Sequence, residues 1–433
     1  MNTSGIASRV HYERLKNGVD MYLLKTPVTD VVTCKIALPG GVYSTFDRQT
    51  IAALLTDLLP GGTKKQARST VLERIEALGG SVAVQVVSGH TIVSVGSRKS
   101  VFDKVLEVVL ETLTQPQWRA TEFKEAQMRV AQALVHAEED TELQAGIVAH
   151  QALYKKGHPH WKQGTRSVAK ELEQVTQQDV RKHWSSALTG VGATVCVVGD
   201  INVRALTPKL RTILSVLPGT PPKQPTVHPA RTQAPKKKDI ILTMPEKYNI
   251  DTLMVLPLAL TKESGDFHAL GLGTAVLGGS SSSRLFNILR TRESLTYGSA
   301  ASLQGFQDGY PGFLSVWAIF PHDLFSKGRK VLQHIVHDFC DAGVTAKELA
   351  REKEAITGKF KVGLATTRGV CDALLSTILM GRPLSYIDTY TDIMNELSRG
   401  EVNRAIKDHM HYELAVTAAA GAIDADGTAH PRT

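Results

Sequence analysis

The sequence predicts an α+β protein of two duplicated halves, each a largely antiparallel sheet packed with helices, and three observations predict it. Strand-length apolar or alternating runs interleave with amphipathic helical runs over all 433 residues, a length that supports two or three domains with sizeable cores. Six of the 18 prolines crowd into SVLPGTPPKQPTVHPARTQAPKKKD, residues 215–239, where no hydrophobic period survives. A linker therefore separates a first half, 1–214, from a second, 240–433. Motifs also recur at nearly constant offsets. Val180 and Val402, Gly199 and Gly421, and Ile201 and Ile423 are each 222 residues apart, while LLPGGT from Leu58 meets AVLGGS from Ala275 at an offset of 217 that Leu78 and Leu295 share. Two offsets with a linker between them predict a duplicated domain.

The elements follow in order. VDMYLLK (19–25) and VVTCKIAL (31–38) read as strands, and IAALLTDLL (51–59) as a helix running into a Gly-Gly turn. VAVQVVSGHTIVSVGS (82–97) reads as two strands joined at Ser88-Gly89. In VFDKVLEVVLETL the apolar Val101, Val105, Val108, Val109 and Leu113 share one helical face. Thr121 to Tyr154 reads as mostly helical, and ATVCVVG closes the half as a buried strand. The second half repeats the plan with DTLMVLPLAL, GLGTAVLGG, TYGSAASLQGF, GFLSVWAIF and AVTAAAGAI.

Composition narrows the function classes. With 42% hydrophobic and 21% charged residues the chain is not a disordered one. The net charge of +8 invites a nucleic-acid reading, but Lys223, Arg231, Lys236, Lys237 and Lys238 against Asp239 place +4 of it in the linker, so no nucleic-acid partner is expected. Cys34, Cys196, Cys340 and Cys371 form no CxxC pair and read as buried free thiols. No run of about 18 apolar residues is present to span a bilayer. The N-terminal MNTSGIASRVHYERLKNGVDMYLL has no apolar h-region, so the chain as given reads as soluble, without a signal peptide.

The stretch SSSSRLFNILRTRESLTYG, residues 280–298, holds the main candidates for chemistry. Its serine run supplies an N-cap at Ser282 or Ser283, Arg290 falls near the helix end, and Tyr297 opens the next strand. A spacing of seven lets guanidinium and phenol converge across the turn. The plain alternative is an arginine favoured by the helix macrodipole and a half-buried strand tyrosine.

From about Val10 to Ile423, in element order and in motif, the chain resembles the pitrilysin/insulinase family of zinc peptidases, the inverzincins. LRTRESLTY (289–297) resembles the family's second-half Arg/Tyr motif, with RLF upstream at Arg284–Phe286, and LYKKGHPHWKQGT (153–165) resembles its His-Pro loop. The resemblance implies half of a clam-like peptidase chamber. It also implies an H-x-x-E-H zinc motif on the helix before the first Gly-Gly turn. Counted back from LLPGGT, the motif positions hold Ala53, Leu54, Leu55, Thr56 and Asp57. Ala53 has no donor and Thr56 is no carboxylate base. The third ligand should fall near Ala133 or Leu134, which cannot bind zinc, and Glu138 and Glu139 do not replace the missing histidines. One aspartate makes no site where about three ligands are needed. Asp57 is expected as an exposed helix residue, and no metal is expected in this chain.

Other histidines do not supply a ligand set. His334 and His337 at i, i+3 lack a third partner and read as surface or capping residues, while His158 and His160, and His409 and His411, read as loop and helix-end residues. In the resembled family the Arg/Tyr pair donates hydrogen bonds to the substrate carbonyl as it becomes an oxyanion. The first expectation is thus a non-zinc subunit of a heterodimeric metallopeptidase. Arg290 and Tyr297 would act in trans on a peptide bound at zinc carried by a homologous partner with an intact H-x-x-E-H. The alternative is a catalytically inactive scaffold or peptide-binding homologue, in which hydrolysis has no dependence on Arg290.

Overall fold

The computed structural model describes residues 5–40, 49–87, 89–221, 235, 237–306 and 309–428. The first half runs α1 (Ile6–Arg9), β1 (His11–Arg14), β2 (Asp20–Lys25), β3 (Val31–Pro39), α2 (Gln49–Leu58), α3 (Arg68–Ala77), β4 (Ser81–Val87) and β5 (His90–Arg98). It continues through α4 (Phe102–Thr114), α5 (Ala120–Glu138), α6 (Thr141–Leu153), α7 (Thr165–Gln174), α8 (Gln177–Ala187), β6 (Thr194–Gly199) and α9 (Val203–Leu214). The second half runs β7 (Asp239–Thr243), β8 (Asn249–Pro257), α10 (Phe267–Gly278), β9 (Gly298–Gln304) and β10 (Phe313–Pro321). There follow α11 (Phe325–Ala342), α12 (Ala346–Gly363), α13 (Thr367–Leu379), α14 (Tyr386–Glu396), α15 (Arg399–His409) and β11 (Val416–Gly421). Most of the linker at 215–239 lies outside the described residues.

Each half contributes one sheet, and the α+β class with largely antiparallel sheets is the one the sequence predicts. The six-stranded sheet is ordered β1-β2-β6-β3-β5-β4, and only β2 and β6 run parallel. The five-stranded sheet is ordered β7-β11-β8-β10-β9, with β7 and β11 its parallel pair. The duplication is visible residue by residue. β6 and β11 are each buried along their whole length, as expected for strands covered on both faces, and they begin 222 residues apart at Thr194 and Val416. Both end on a glycine with positive φ, 149° at Gly199 and 155° at Gly421. Just before them α8 and α15 open on the same device, a capping box of Thr176 with Asp179 and of Ser398 with Glu401.

The chain forms two compact units that are not the two sequence halves. One comprises Met1–Gln132, Ala169–Thr226 and Lys359–Thr391, and the other Ala133–Val168, Val227–Gly358 and Asp392–Thr433. The reason lies in the second face of each sheet. In the first unit α13 lays Val370, Cys371, Leu374 and Leu375 against Leu24, Ala37, Cys196 and Val198 of the six-stranded sheet. In the second, α6 lays Ala145, Ala149 and Leu153 against Leu253, Val255, Ala418 and Ala420 of the five-stranded sheet. A two-faced sheet needs cover on both sides, and each apolar helix face supplies it where it is lacking. The opposite face of the five-stranded sheet carries that unit's larger core, with Leu270, Leu277, Leu289, Leu314, Phe320 and Phe339 in it. All four cysteines are buried free thiols. Among the described residues no single helix is long and apolar enough to cross a membrane.

Candidate functional site

α2 is an amphipathic helix whose inner face buries Thr50, Ile51, Ala52, Leu54, Leu55 and Leu58. Its outer face carries the three positions that decide the metal question. Ala53 and Thr56 are exposed, and the Thr56 hydroxyl turns back to donate to the Ala52 carbonyl at 3.0 Å. Asp57 corrects the expectation of an exposed residue, being half-buried and fully engaged. Arg129 of α5 grips it bidentately, Nε to Oδ1 at 2.9 Å and Nη2 to Oδ2 at 2.7 Å, and Arg68 Nη1 stands 3.9 Å from Oδ2. The planar fork of arginine matches a carboxylate in this way, so both Asp57 oxygens are spent on cations. Ala133 and Leu134, one turn further along α5, offer no donor atom, while Glu138 faces Arg166 at 3.6 Å and Glu139 faces Lys247 at 3.2 Å. Among the described residues no group of three or more His, Cys, Asp or Glu could hold a metal. The side chains on this face do not fit the zinc that the resemblance associates with it.

The Arg290 stretch is built differently. Ser283 caps its start: its buried Oγ accepts from the Phe286 amide at 3.4 Å and its carbonyl accepts from Asn287 at 3.0 Å. From Phe286 to Arg292 the backbone widens into a π-helical turn, a form that recurs at functional sites. Leu285, Leu289 and Leu295 anchor the turn in the core. Arg284 ties its base to α12, with two hydrogen bonds to Glu348 at 2.8 and 2.7 Å and one to the Gly343 carbonyl at 2.9 Å. Burial alone would raise the Glu348 carboxyl, but Arg284 and the Thr345 amide and hydroxyl outweigh it and hold it at about 2.

On this support the structure brings Arg290 and Tyr297 together. The guanidinium carbon lies 4.9 Å from the centre of the tyrosine ring, a cation–π distance, and Nη1 donates to the Thr296 carbonyl at 3.0 Å. That bond uses one of five guanidinium N–H donors. No ion pair to Arg290 occurs among the described residues. Tyr297 is 71% exposed although Thr296 beside it is buried. The pair therefore presents a phenol and most of a guanidinium to solvent from a rigid seat, an arrangement suited to hydrogen-bonding an anionic or carbonyl oxygen.

The remaining histidines take other roles. His334 and His337 lie on α11 with Asp338 and Asp341 at 3.2 and 3.4 Å, and His409 reaches Asp266 at 3.1 Å. His411 lies 3.9 Å from Glu413. His158 and His160 do sit in the turn after α6, but they are buried, at 7% and 5% exposure, in a cluster that sequence reasoning missed. His150 Nδ1 lies 2.7 Å from the His160 carbonyl, which only accepts, so that nitrogen carries the proton. The His160 amide donates to His158 Nδ1 at 3.0 Å, and the Tyr154 and His158 rings stack at 4.4 Å. Burial pushes His150 down to about 3 and His158 to about 4, so both are neutral near pH 7. The available signal was helical register: His150 falls one turn before Tyr154 and one residue after Ala149, on the face of α6 that packs on the sheet.

Two family profiles match the chain, "Insulinase (Peptidase family M16)" over residues 21–160 and "Peptidase M16 inactive domain" over residues 174–356. It is 20% identical over 371 residues to a Helicobacter pylori protein described as "Non-peptidase homolog YmxG", covering 86% of this chain and 84% of that protein. Among solved structures, a peptidase M16 inactive domain from Pseudomonas fluorescens superposes with a TM-score of 0.87 at 18% identity, covering 98% of this chain and all of that one. The periplasmic protease PqqL from Escherichia coli superposes at 0.81 with 12% identity, covering 96% of this chain and 46% of that longer one.

Proposed function

The chain belongs to the insulinase family of peptidases, M16, as a member with no metal-binding group among the described residues, and on that premise we propose that it acts as the zinc-free subunit of a two-chain peptidase. In this reading Arg290 and Tyr297 donate hydrogen bonds to the carbonyl oxygen of a peptide held at zinc on a homologous partner with an intact H-x-x-E-H. As the oxygen gains charge on the way to the tetrahedral intermediate, the two donors gain strength with it. One observation carries the proposal: the Arg290 guanidinium is fixed over an exposed Tyr297 by a backbone carbonyl and not by a carboxylate, so its charge is available to a substrate. The 46% share of PqqL that this fold covers is in keeping with pairing, since the same architecture there sits within a chain about twice as long.

A second reading, an inactive scaffold or peptide-binding homologue, is favoured by the similarity to a Helicobacter pylori protein described as a non-peptidase homologue. Hydrolysis of a peptide by the complex with a co-purified zinc-bearing homologue separates the two, using Tyr297→Phe. The proposal expects turnover to fall about 100-fold, the usual cost of losing one oxyanion donor, with the complex intact. Equal turnover, or no such homologue bound, favours the scaffold.

A further inference from the structure

Tyr297 is exposed, yet the residues on either side of it are fixed, and what fixes them is a buried polar network on the five-stranded sheet. Before it, the buried Thr296 hydroxyl is hydrogen-bonded to the Ile319 carbonyl of β10 and lies 2.7 Å from the Gly298 carbonyl, while the Gly298 amide donates to that hydroxyl at 3.1 Å. After it, Gly298 rests on the tip of the Trp317 indole. A Cβ at 298 would stand 2.9 Å from Cη2 and 3.0 Å from Cζ3 of that ring, so the close approach requires glycine. The indole is itself held from below, its Nε1 donating to Asp251 Oδ1 at 2.7 Å. The other Asp251 oxygen accepts from the Thr141 hydroxyl at 2.5 Å.

Asp251 is 6% exposed, and a carboxylate at that depth is costly unless its bonds matter. Burial raises its carboxyl, with the Thr141 and Trp317 hydrogen bonds working against that rise. β8, β10 and β9 are neighbours, with Ile319 opposite both Asp251 and Gly298, so the network crosses three strands along one short path to the turn that presents the phenol.

We infer that Trp317 and Asp251 are positioning residues for Tyr297, with the indole acting as the seat of Gly298 and the buried carboxylate fixing the indole. The inference rests on the proposed role of Arg290 and Tyr297. What the network requires of residue 251 is an acceptor for the indole N–H, not a charge. Asp251→Asn keeps that acceptor, whereas Trp317→Phe and Asp251→Ala remove the bond.

The test uses the full chain and its complex with the zinc-bearing homologue. Amide hydrogen exchange is read at 296–299 in the chain alone, and kcat and KM in the complex. Trp317→Phe and Asp251→Ala should each speed exchange at 296–299 about tenfold or more. They should lower kcat about tenfold with KM within twofold, and Asp251→Asn should restore both readouts nearly to the native values. Unchanged exchange in both variants overturns the inference without any reference to catalysis. Faster exchange with unchanged kcat overturns it too, and the Arg290→Ala control then decides how much falls: if Arg290→Ala lowers kcat, only the positioning inference fails, and if it does not, the proposed function fails with it.

Discussion

Arg129 and Arg290 are the same side chain in two regions of one protein, and their surroundings set them to opposite uses. Arg129 is closed onto Asp57 by three hydrogen bonds, so its charge is spent on the face where a peptidase of this family would carry its metal. Arg290 is held by a carbonyl and an aromatic ring, neither of which neutralises it. A guanidinium paired with a carboxylate makes a cross-link, while one positioned by neutral groups remains a donor. One arginine is therefore committed to a structural contact, while the other keeps the free donors that the proposed function requires.

Support for the two regions differs in the same sense, and stability measurements expose the difference. The Arg290 turn stands on the Arg284–Glu348 pair, whose side chains are only 16% and 19% exposed. Arg284→Ala removes the cation, leaves Glu348 only its Thr345 hydrogen bonds, and should cost about 3 kcal/mol in urea unfolding. A loss below about 1 kcal/mol would show that the turn does not depend on that pair. Acid should weaken the same unit next, through the buried histidines. Their folded-state values lie below the unfolded value of about 6.5, so the unfolded chain binds more protons and stability falls as pH drops below about 6.5 towards the folded values near 3 and 4. At pH 5 His150 alone should account for about 2 kcal/mol of that loss, and His150→Gln should flatten the profile of melting temperature against pH between 7 and 5. The Asp57–Arg129 pair should matter least. Asp57 and Arg129 are 23% and 46% exposed, so a double-mutant cycle on Asp57→Ala and Arg129→Ala should return a coupling of about 0.5 to 1 kcal/mol. A coupling above about 2 kcal/mol would make the outer face of α2 as strongly braced as the Arg290 turn.

Local periodicity carried most of the fold. The strand patterns around VVTCKIAL, ATVCVVG and AVTAAAGAI landed on β3, β6 and β11, because a strand's face and burial are written in adjacent residues. The exchange of α6 and α13 between the two sequence halves was not legible, since an apolar helix face does not name the sheet it will cover. At the candidate site the pairing of Arg290 with Tyr297 follows from a spacing of seven, but the π-helical widening does not. The Asp57 contact was hidden for a simpler reason: its partner is 72 residues away and nothing local marks it. The histidine cluster looked like loop because GHPHW is a loop, buried only by what packs around it.

The most direct measurement places the two regions in one assay: peptide hydrolysis by the complex with the proposed zinc-bearing homologue, with Arg290→Ala and Asp57→Ala compared side by side. The account predicts a loss of roughly 100-fold in turnover for Arg290→Ala and less than twofold for Asp57→Ala, with assembly unchanged in both. Equal effects of the two substitutions, or full turnover with Arg290→Ala, would contradict it.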